Sequence, residues 1–474
     1  MVINLYDSAT GKQESIVSRR PGEIAMYVCG PTVYDVPHLG HGRFALVFDI
    51  LRRYMEFLGN RVHYVSNITD IDDKIIMRAQ QENRSYTEVA REFENVWWSA
   101  MDSLGVARPD DIPHATSYVP SMVEAIGEMI DKGYAYEASD GIYFSTGSIS
   151  GYGLLARQRL DTLRAGARVE ENDEKRSPLD FALWKRAKAG EPSWPSPWGD
   201  GRPGWHTECV VMSLGILGEG FDIHGGGADL AFPHHENERA QSVALGKSFA
   251  RHWVHNGWVT VGGEKMAKSL GNYTSLSDFL SRSDPRAYRL LVLRSHYRSP
   301  MEVTPRTVSD AEESLARLDL LVRRYKAVSG VAELPELATT FITIEEAVRM
   351  GAGRDELDEF CRHMDDDLDT PAALASVFEL ARRANSAFDA GDIGRGEQLA
   401  ITVQVLCNAL GFVFDSTDEE AFDEETLELA RERDIARNER DWQKADALRD
   451  ELVKRGWIVE DTAEGTRLRS RDLH

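Results

Sequence analysis

Apolar and polar positions alternate along this chain in a way that divides it into an α/β part and a helical part. Ile24-Ala25-Met26-Tyr27-Val28 is a short unbroken apolar run, which predicts a strand buried on both faces. Phe44 to Leu58 is longer and apolar on most sides, which predicts a core helix. Between them lies Cys29-Gly30-Pro31-Thr32-Val33-Tyr34-Asp35-Val36-Pro37-His38-Leu39-Gly40-His41-Gly42-Arg43. A strand, a glycine-bearing loop and a helix start place backbone N–H groups where an anion can sit, with His38 and His41 at the mouth. A second strand is expected at Val62–Val65, followed by the polar loop Ser66 to Lys74. In open α/β sheets ligands bind at that carboxyl end; Asp70 or Asp72 would equally serve there as a helix cap. Helical spacing continues from about 74 to 133.

From about 134 the texture changes. Tyr134–Ala138 and Gly141–Phe144 read as short strands about a turn at Ser139-Asp140, and Gly190–Gly199 is a Pro/Gly/Trp-rich loop, so this stretch is expected to be an insertion. The α/β core resumes at Gly204-Trp205-His206-Thr207-Glu208-Cys209, with a further strand at Phe221–His224. After about 300 the pattern is helical, and Asp369-Thr370-Pro371 is a strong helix start. Ile435, Trp442, Ala445, Leu448 and Leu452 fall at helical spacing, and Trp457–Val459 with Thr466–Arg469 suggests a closing hairpin turned at Ala463–Gly465.

Composition narrows the class. At 474 residues two to four domains are expected. The 42% hydrophobic and 28% charged content is that of a folded soluble protein, and no apolar run reaches the length of a membrane span. Four scattered cysteines, with no secretory pattern at the N-terminus, point to a reducing, cytoplasmic setting. A net charge of −23 weighs against a nucleic-acid partner. The charge is uneven: residues 401–430 carry eight acidic and no basic side chains, whereas 431–474 carry eleven of each sign.

Two constellations carry chemistry. Lys265-Met266-Ala267-Lys268-Ser269-Leu270-Gly271 sets two lysines and a serine on a glycine-containing loop, and alone it would be a solvated basic loop. In Phe232-Pro233-His234-His235-Glu236-Asn237-Glu238, His234 and Glu238 share a helical face at i, i+4. With Cys29 and Cys209 they could complete a tetrahedral zinc site. Spacing leaves His235 as an equally good ligand, and an ordinary helix-surface His–Glu pair as the bland alternative.

His38-Leu39-Gly40-His41 paired with Lys265–Ser269 resembles the two signature motifs of class I aminoacyl-tRNA synthetases, with Leu39 and Ala267 as single departures that remove no charged or imidazole group. Gly30–Asp35, Asn67–Lys74, Pro203–Cys209, Phe221–Gly227, Phe232–Glu238, Asp365–Pro371 and Glu460–Arg467 extend the resemblance to the cysteinyl-tRNA synthetase family over essentially the whole chain. The resemblance implies a Rossmann-type, doubly wound parallel-sheet catalytic domain in two halves, 1–133 and 204–262, split by a connective insertion at 134–203. It further implies a loop and stem-contact region at 263–325, a helical bundle at 326–414, an acidic linker at 415–430 and an anticodon-recognition segment at 431–474. It implies that Cys29, Cys209, His234 and Glu238 bind one zinc ion. His38, Gly40, His41, Lys265, Lys268 and Ser269 are implied to handle ATP with its Mg²⁺, with His38, His41, Lys265 and Lys268 in catalytic roles. Cys29, Thr69, Trp205 and Asp229 are implied to line the amino-acid pocket.

The implied reaction is ATP-dependent activation of L-cysteine followed by transfer to tRNA(Cys), by a monomer, with zinc selecting cysteine through its thiolate. Trp442 would stack on an anticodon base, or else belong to the core, with Arg and Asp side chains of its helix reading base edges. The nearest rival is a ligase joining cysteine to an amino sugar in bacterial thiol (mycothiol) synthesis, which shares the zinc and ATP motifs but lacks a segment like 431–474. A catalytically dead RNA-binding paralogue and a metalloprotease are the weaker rivals.

Overall fold

The computed structural model describes residues 3–156, 174–261, 264–265, 274–331, 334, 341–414, 424–439, 441–455, 457–462 and 465–470. The chain forms two compact units, Met1–Leu321 with Leu334–Val413, and Val322–Glu333 with Phe414–His474.

The first unit is built on a parallel sheet of β1 (Glu23–Val28), β2 (Arg61–Ser66), β3 (Ile223–Gly227) and β4 (His252–Asn256), in the order β4-β3-β1-β2. The expected apolar run is β1, and five of its six residues are buried. Helix α1 (Leu39–Phe57) links β1 to β2 and begins five residues before the apolar run at Phe44, because His38 already acts as its N-cap. Gly40 and His41 therefore belong to the first helical turn and not to a preceding loop. Because β1 is flanked by β2 on one side and β3 on the other, the chain reverses its winding there, and a crevice opens at the strands' carboxyl ends. Asp72 caps the helix after β2 by accepting from the Lys74 N–H, whereas Asp70 binds the hydroxyl and N–H of Thr116.

Residues 135–203 carry a separate antiparallel sheet of Ala135–Ala138, Gly141–Phe144, Phe181–Arg186 and Gly201–Pro203 in sequential order. Helix α2 (Trp205–Leu217) then returns the chain to the core, and α3 (Glu236–Leu245) joins β3 to β4. Among the described residues beyond 300 the unit is helical except for the two-residue strand Met301–Glu302, which pairs with Val259–Thr260. The expected start at Asp369 is present: its side chain accepts from Ala372 N–H, and Pro371 lies in the first turn.

The second unit holds the helix Glu424–Asn438, the helix Trp442–Lys454 and the hairpin Trp457–Thr462/Gly465–Ser470. Its apolar stripe is narrower than the spacing suggested. Ala445 and Leu452 are buried, but Ile435 is 54% and Trp442 61% exposed. The core reading of Trp442 is therefore wrong; helical spacing put the ring on the same stripe, but its place in the first turn turns it to solvent. No helix among the described residues is long and apolar enough to cross a membrane.

Candidate active site and metal centre

Four side chains from four separate elements meet at the carboxyl end of the parallel sheet. Cys29 follows β1, and its N–H donates to the carbonyl of Gly225 on β3. Cys209 sits one turn into α2, His234 lies in the short turn Ala231–His235 after β3, and Glu238 opens α3. None is more than 3% exposed. The Cys29 and Cys209 sulfurs are 3.6 Å apart; His234 Nε2 lies 3.5 Å and 3.6 Å from them, and 2.9 Å from Glu238 Oε1. Glu238 Oε1 is also 3.5 Å from Cys29 Sγ.

A tetrahedral zinc ion with its usual bond lengths holds two sulfurs about 3.8 Å apart and a sulfur and an imidazole nitrogen about 3.6 Å apart. The donors are already at that spacing. Their electrostatics agree. Burial pushes the Glu238 carboxyl up, but His224 and His234 outweigh it and hold it well below the usual carboxylate range. Burial likewise opposes charge on His234, yet Glu238 and Cys209 raise it to about 10. Burial disfavours the Cys209 thiolate too, but hydrogen bonds from Cys29 and His234 bring its pKa down to about 6. Burial, with Cys209 and Glu238 beside it, pushes the Cys29 thiol up, so the four donors together favour a positive charge among them.

A ring of imidazoles surrounds the four. His206 Nδ1 is 2.8 Å from His234 Nδ1, which fixes the ring so that Nε2 faces the thiols. His224 Nε2 holds the other Glu238 oxygen at 2.7 Å. His235 lies 3.3 Å from Cys29 through Nε2, while its Nδ1 is 2.8 Å from His255 Nε2; Ser8 Oγ holds His255 Nδ1 at 2.7 Å. A second grouping, Cys29, His224, His235 and Glu238, is therefore also within ligand reach, but only the set with His234 includes both thiols. A glycine at 226 is required: a Cβ there would meet His235 Cε1 at 2.6 Å.

The expected pocket residues fall around this centre. Trp205 stacks on His234 at 3.9 Å between centroids and 22° between planes, and keeps 38% of its surface exposed. Asp229 is exposed in the turn after β3, its carboxylate lying over Gly227. Thr69 is buried one layer behind, donating to Glu208 Oε2 at 2.8 Å.

The two signature segments also meet. Leu276 N–H donates to Pro37 O at 2.9 Å, and Leu39 N–H to Thr274 O at 3.4 Å, so the chain leaving the lysine loop runs beside the start of α1. The chain entering it is the strand Glu264–Lys265, with Lys265 opposite Thr260. Lys268 and Ser269 lie outside the described residues. The His38 and His41 rings stack at 3.8 Å, half-buried, with Gly40 between them at the helix N-terminus.

The description "tRNA synthetases class I (C) catalytic domain" matches residues 15–313, "DALR domain" matches 359–415, and "Cysteinyl-tRNA ligase anticodon binding domain" matches 419–469. The chain is 42% identical to the cysteine--tRNA ligase of Persephonella marina and 44% identical to that of Carboxydothermus hydrogenoformans, in each case over 98% of this chain and 99% of the relative. The chain belongs to the cysteine--tRNA ligase family. Membership fits the fold seen in solved class I structures. Methionyl-tRNA synthetase of Mycobacterium tuberculosis, with methionyl-adenylate, aligns with a TM-score of 0.59 at 14% identity, covering 82% of this chain and 89% of that one. A putative arginyl-tRNA synthetase from Campylobacter jejuni aligns at 0.56 and 12% identity, over 85% and 95%.

Within this ligase several residues escaped the sequence reading. His206 and His255 support the centre without belonging to it, and Ser8 reaches it from the N-terminal hairpin. The run of histidines between 206 and 255 was the one available signal. Arg43 gave none: it is fully buried on α1, donating to the carbonyls of Trp258 and Ser299.

Proposed function

We infer that the protein is an ATP-dependent enzyme that activates L-cysteine and transfers it to tRNA(Cys). The family membership and the anticodon-domain match carry this reading, and the latter weighs against the amino-sugar ligase. In the first step the cysteine carboxylate attacks the α-phosphate of ATP, forming the mixed anhydride and releasing pyrophosphate. The carboxylate is already ionised near neutral pH, so positioning and charge stabilisation do the catalysis. The N-terminal end of α1, with His38 and His41, receives the nucleotide on its positive dipole end; Lys265 and Lys268 neutralise the leaving pyrophosphate. In the second step a hydroxyl of the 3′-terminal ribose attacks the acyl carbon and AMP leaves.

Cys29, Cys209, His234 and Glu238 are the residues that would hold a zinc ion. When bound, it supplies a Lewis acid that prefers sulfur and lowers a thiol's pKa, an advantage a serine hydroxyl lacks. The convergence of two thiols, an imidazole and a carboxylate at zinc spacing supports this most directly. Trp205 closes one wall of that pocket, and Asp229 offers a carboxylate to the substrate's ammonium. Mg²⁺ accompanies ATP. Segment 431–474 is assigned to the anticodon, with Trp442 as a stacking surface. Residues 1–133 and 204–262 form the catalytic halves, 134–203 the insertion, 263–325 the loop and stem-contact region, 326–414 the bundle and 415–430 the linker. The enzyme acts as a monomer in the cytoplasm, in keeping with four cysteines present as free thiols.

The test is charging of total bacterial tRNA with labelled cysteine, with and without a strong zinc chelator. Chelator-sensitive charging of one tRNA species is the expected result. Cysteine activation without charging would transfer the assignment to the amino-sugar ligase.

A further inference from the structure

The N-terminal hairpin, Asn4–Asp7 paired with Lys12–Ser15, lies along the outer edge of β4, where the Ser8 N–H donates to the Trp253 carbonyl at 2.9 Å. Its register sets Leu5 opposite Glu14 and Asp7 opposite Lys12, so Asp7 and Glu14 are diagonal neighbours on one face. That face meets His252, the first residue of β4. Asp7 is 3% and His252 8% exposed. His252 Nδ1 is buried and makes no hydrogen bond. It faces Asp7 Oδ2 at 3.8 Å, beyond hydrogen-bond reach. The other Asp7 oxygen accepts from the Ala9 N–H at 2.7 Å, which holds the carboxylate in place. Glu14, partly exposed, completes the group: one ligand atom from each of the three side chains lies within 4.8 Å of the others.

A buried imidazole nitrogen without a partner, beside a buried carboxylate it cannot reach, lacks a positive charge between the two. Burial disfavours charge on both groups, lowering the His252 pKa and raising that of Asp7. An ion bound at about 2.0–2.2 Å would draw such donors to within about 3.3–3.6 Å of one another, a short closure for the Glu14 side chain.

We propose that Asp7, Glu14 and His252 bind a second divalent cation of the zinc class, with water in the remaining positions, separate from the Cys29–Cys209–His234–Glu238 centre. One imidazole with two carboxylates suits a borderline metal ion and supplies no thiol for a softer one. The ion fastens residues 4–15 to β4. Ser8, the residue after Asp7, touches His255, which in turn supports His235 beside Cys29. The second ion therefore steadies the histidine ring around the first centre from its outer edge.

The full-length protein is equilibrated with micromolar free Zn²⁺, freed of loose metal by gel filtration and analysed by plasma mass spectrometry. Wild type should retain two zinc ions per chain, and His252→Gln and Cys209→Ala one each. In the Cys209→Ala background, added zinc should still raise the melting temperature, and adding His252→Gln should abolish that rise. Should His252→Gln fail to fold, Glu14→Gln, at a partly exposed position, should weaken retention of the second ion at least tenfold. A single zinc in both wild type and His252→Gln would overturn the proposal, as would a second ion unaffected by either substitution. Loss of zinc from Cys209→Ala reports only on the thiol centre, so the two assignments fail separately.

Discussion

Arg43 gives the sharpest test of how the two signature segments are joined. It lies on α1, one turn beyond His38, with none of its surface exposed. Its Nη1 donates to Trp258 O at 2.6 Å and its Nη2 to Ser299 O at 2.5 Å, with Tyr297 O and His296 O each at 3.2 Å. Burial brings its pKa down to about 10, so it remains a cation near neutral pH. Trp258 leads into the strand Val259–Val261, and that strand into Glu264–Lys265. Arg43 thus ties the helix bearing both histidines to the stem of the lysine loop. Arg43→Met keeps the apolar stem and removes the guanidinium. Two short charge-assisted hydrogen bonds are lost, worth about 1.5–3 kcal/mol each. Trp258 O keeps the Met301 N–H at 3.0 Å, and Tyr297 O the Gly257 N–H at 2.8 Å, so the remaining cost falls on Ser299 O. Set against relief from burying a guanidinium, the net loss should be about 3 kcal/mol. Denaturant unfolding followed by circular dichroism measures it, and ATP–pyrophosphate exchange should slow at least tenfold, with partial recovery in Arg43→Lys. A loss under about 1 kcal/mol with unchanged exchange would refute the link.

Three further outcomes follow from named contacts. His206→Ala removes the partner of His234 Nδ1 and should weaken zinc binding about 10–100-fold in chelator competition; unchanged affinity would mean the 2.8 Å contact does not orient the ligand. His114, hydrogen-bonded to Glu94 at 3.0 Å, has its pKa raised above 6.5, chiefly by that bond. Its contribution to stability is therefore full below pH 6.5 and lost as pH rises through its folded-state pKa, so wild type and His114→Gln should differ in melting temperature at mildly acidic pH and converge at alkaline pH. Trp442→Ala, at a ring 61% exposed, should leave folding and cysteine activation intact while raising KM for tRNA; loss of folding instead would show the ring to be structural.

The strands and the helix around the first signature motif were legible because each carries its own apolar run: β1 and β2 appear within a residue or two of the stretches Ile24–Val28 and Val62–Val65. The start of α1 was not, since Leu39-Gly40-His41 has no helical periodicity and is held by the His38 cap. The choice between His234 and His235 could not be made from spacing. It depends on the turn after β3, where Phe232 leaves helical geometry at φ −143° and ψ 133°, and on His206, whose contact crosses from another helix. Trp442 shows the opposite failure: helical spacing put it on an apolar stripe, but a position in the first turn of its helix need not face the core. Arg43 and His252 were invisible because what marks them, a buried guanidinium held by backbone carbonyls of distant segments and a buried imidazole nitrogen with no hydrogen bond, exists only once those segments pack.

The claim that Cys29, Cys209, His234 and Glu238 hold the metal that selects cysteine is tested most directly by the ratio of kcat/KM for activating cysteine to that for serine, in zinc-loaded wild type and in Cys209→Ala. A pocket without metal separates such near-isosteres by only about a hundredfold. The ratio should exceed about 10⁴ in wild type and collapse to about 10² or less in the variant. A variant that retains the wild-type ratio would contradict the account.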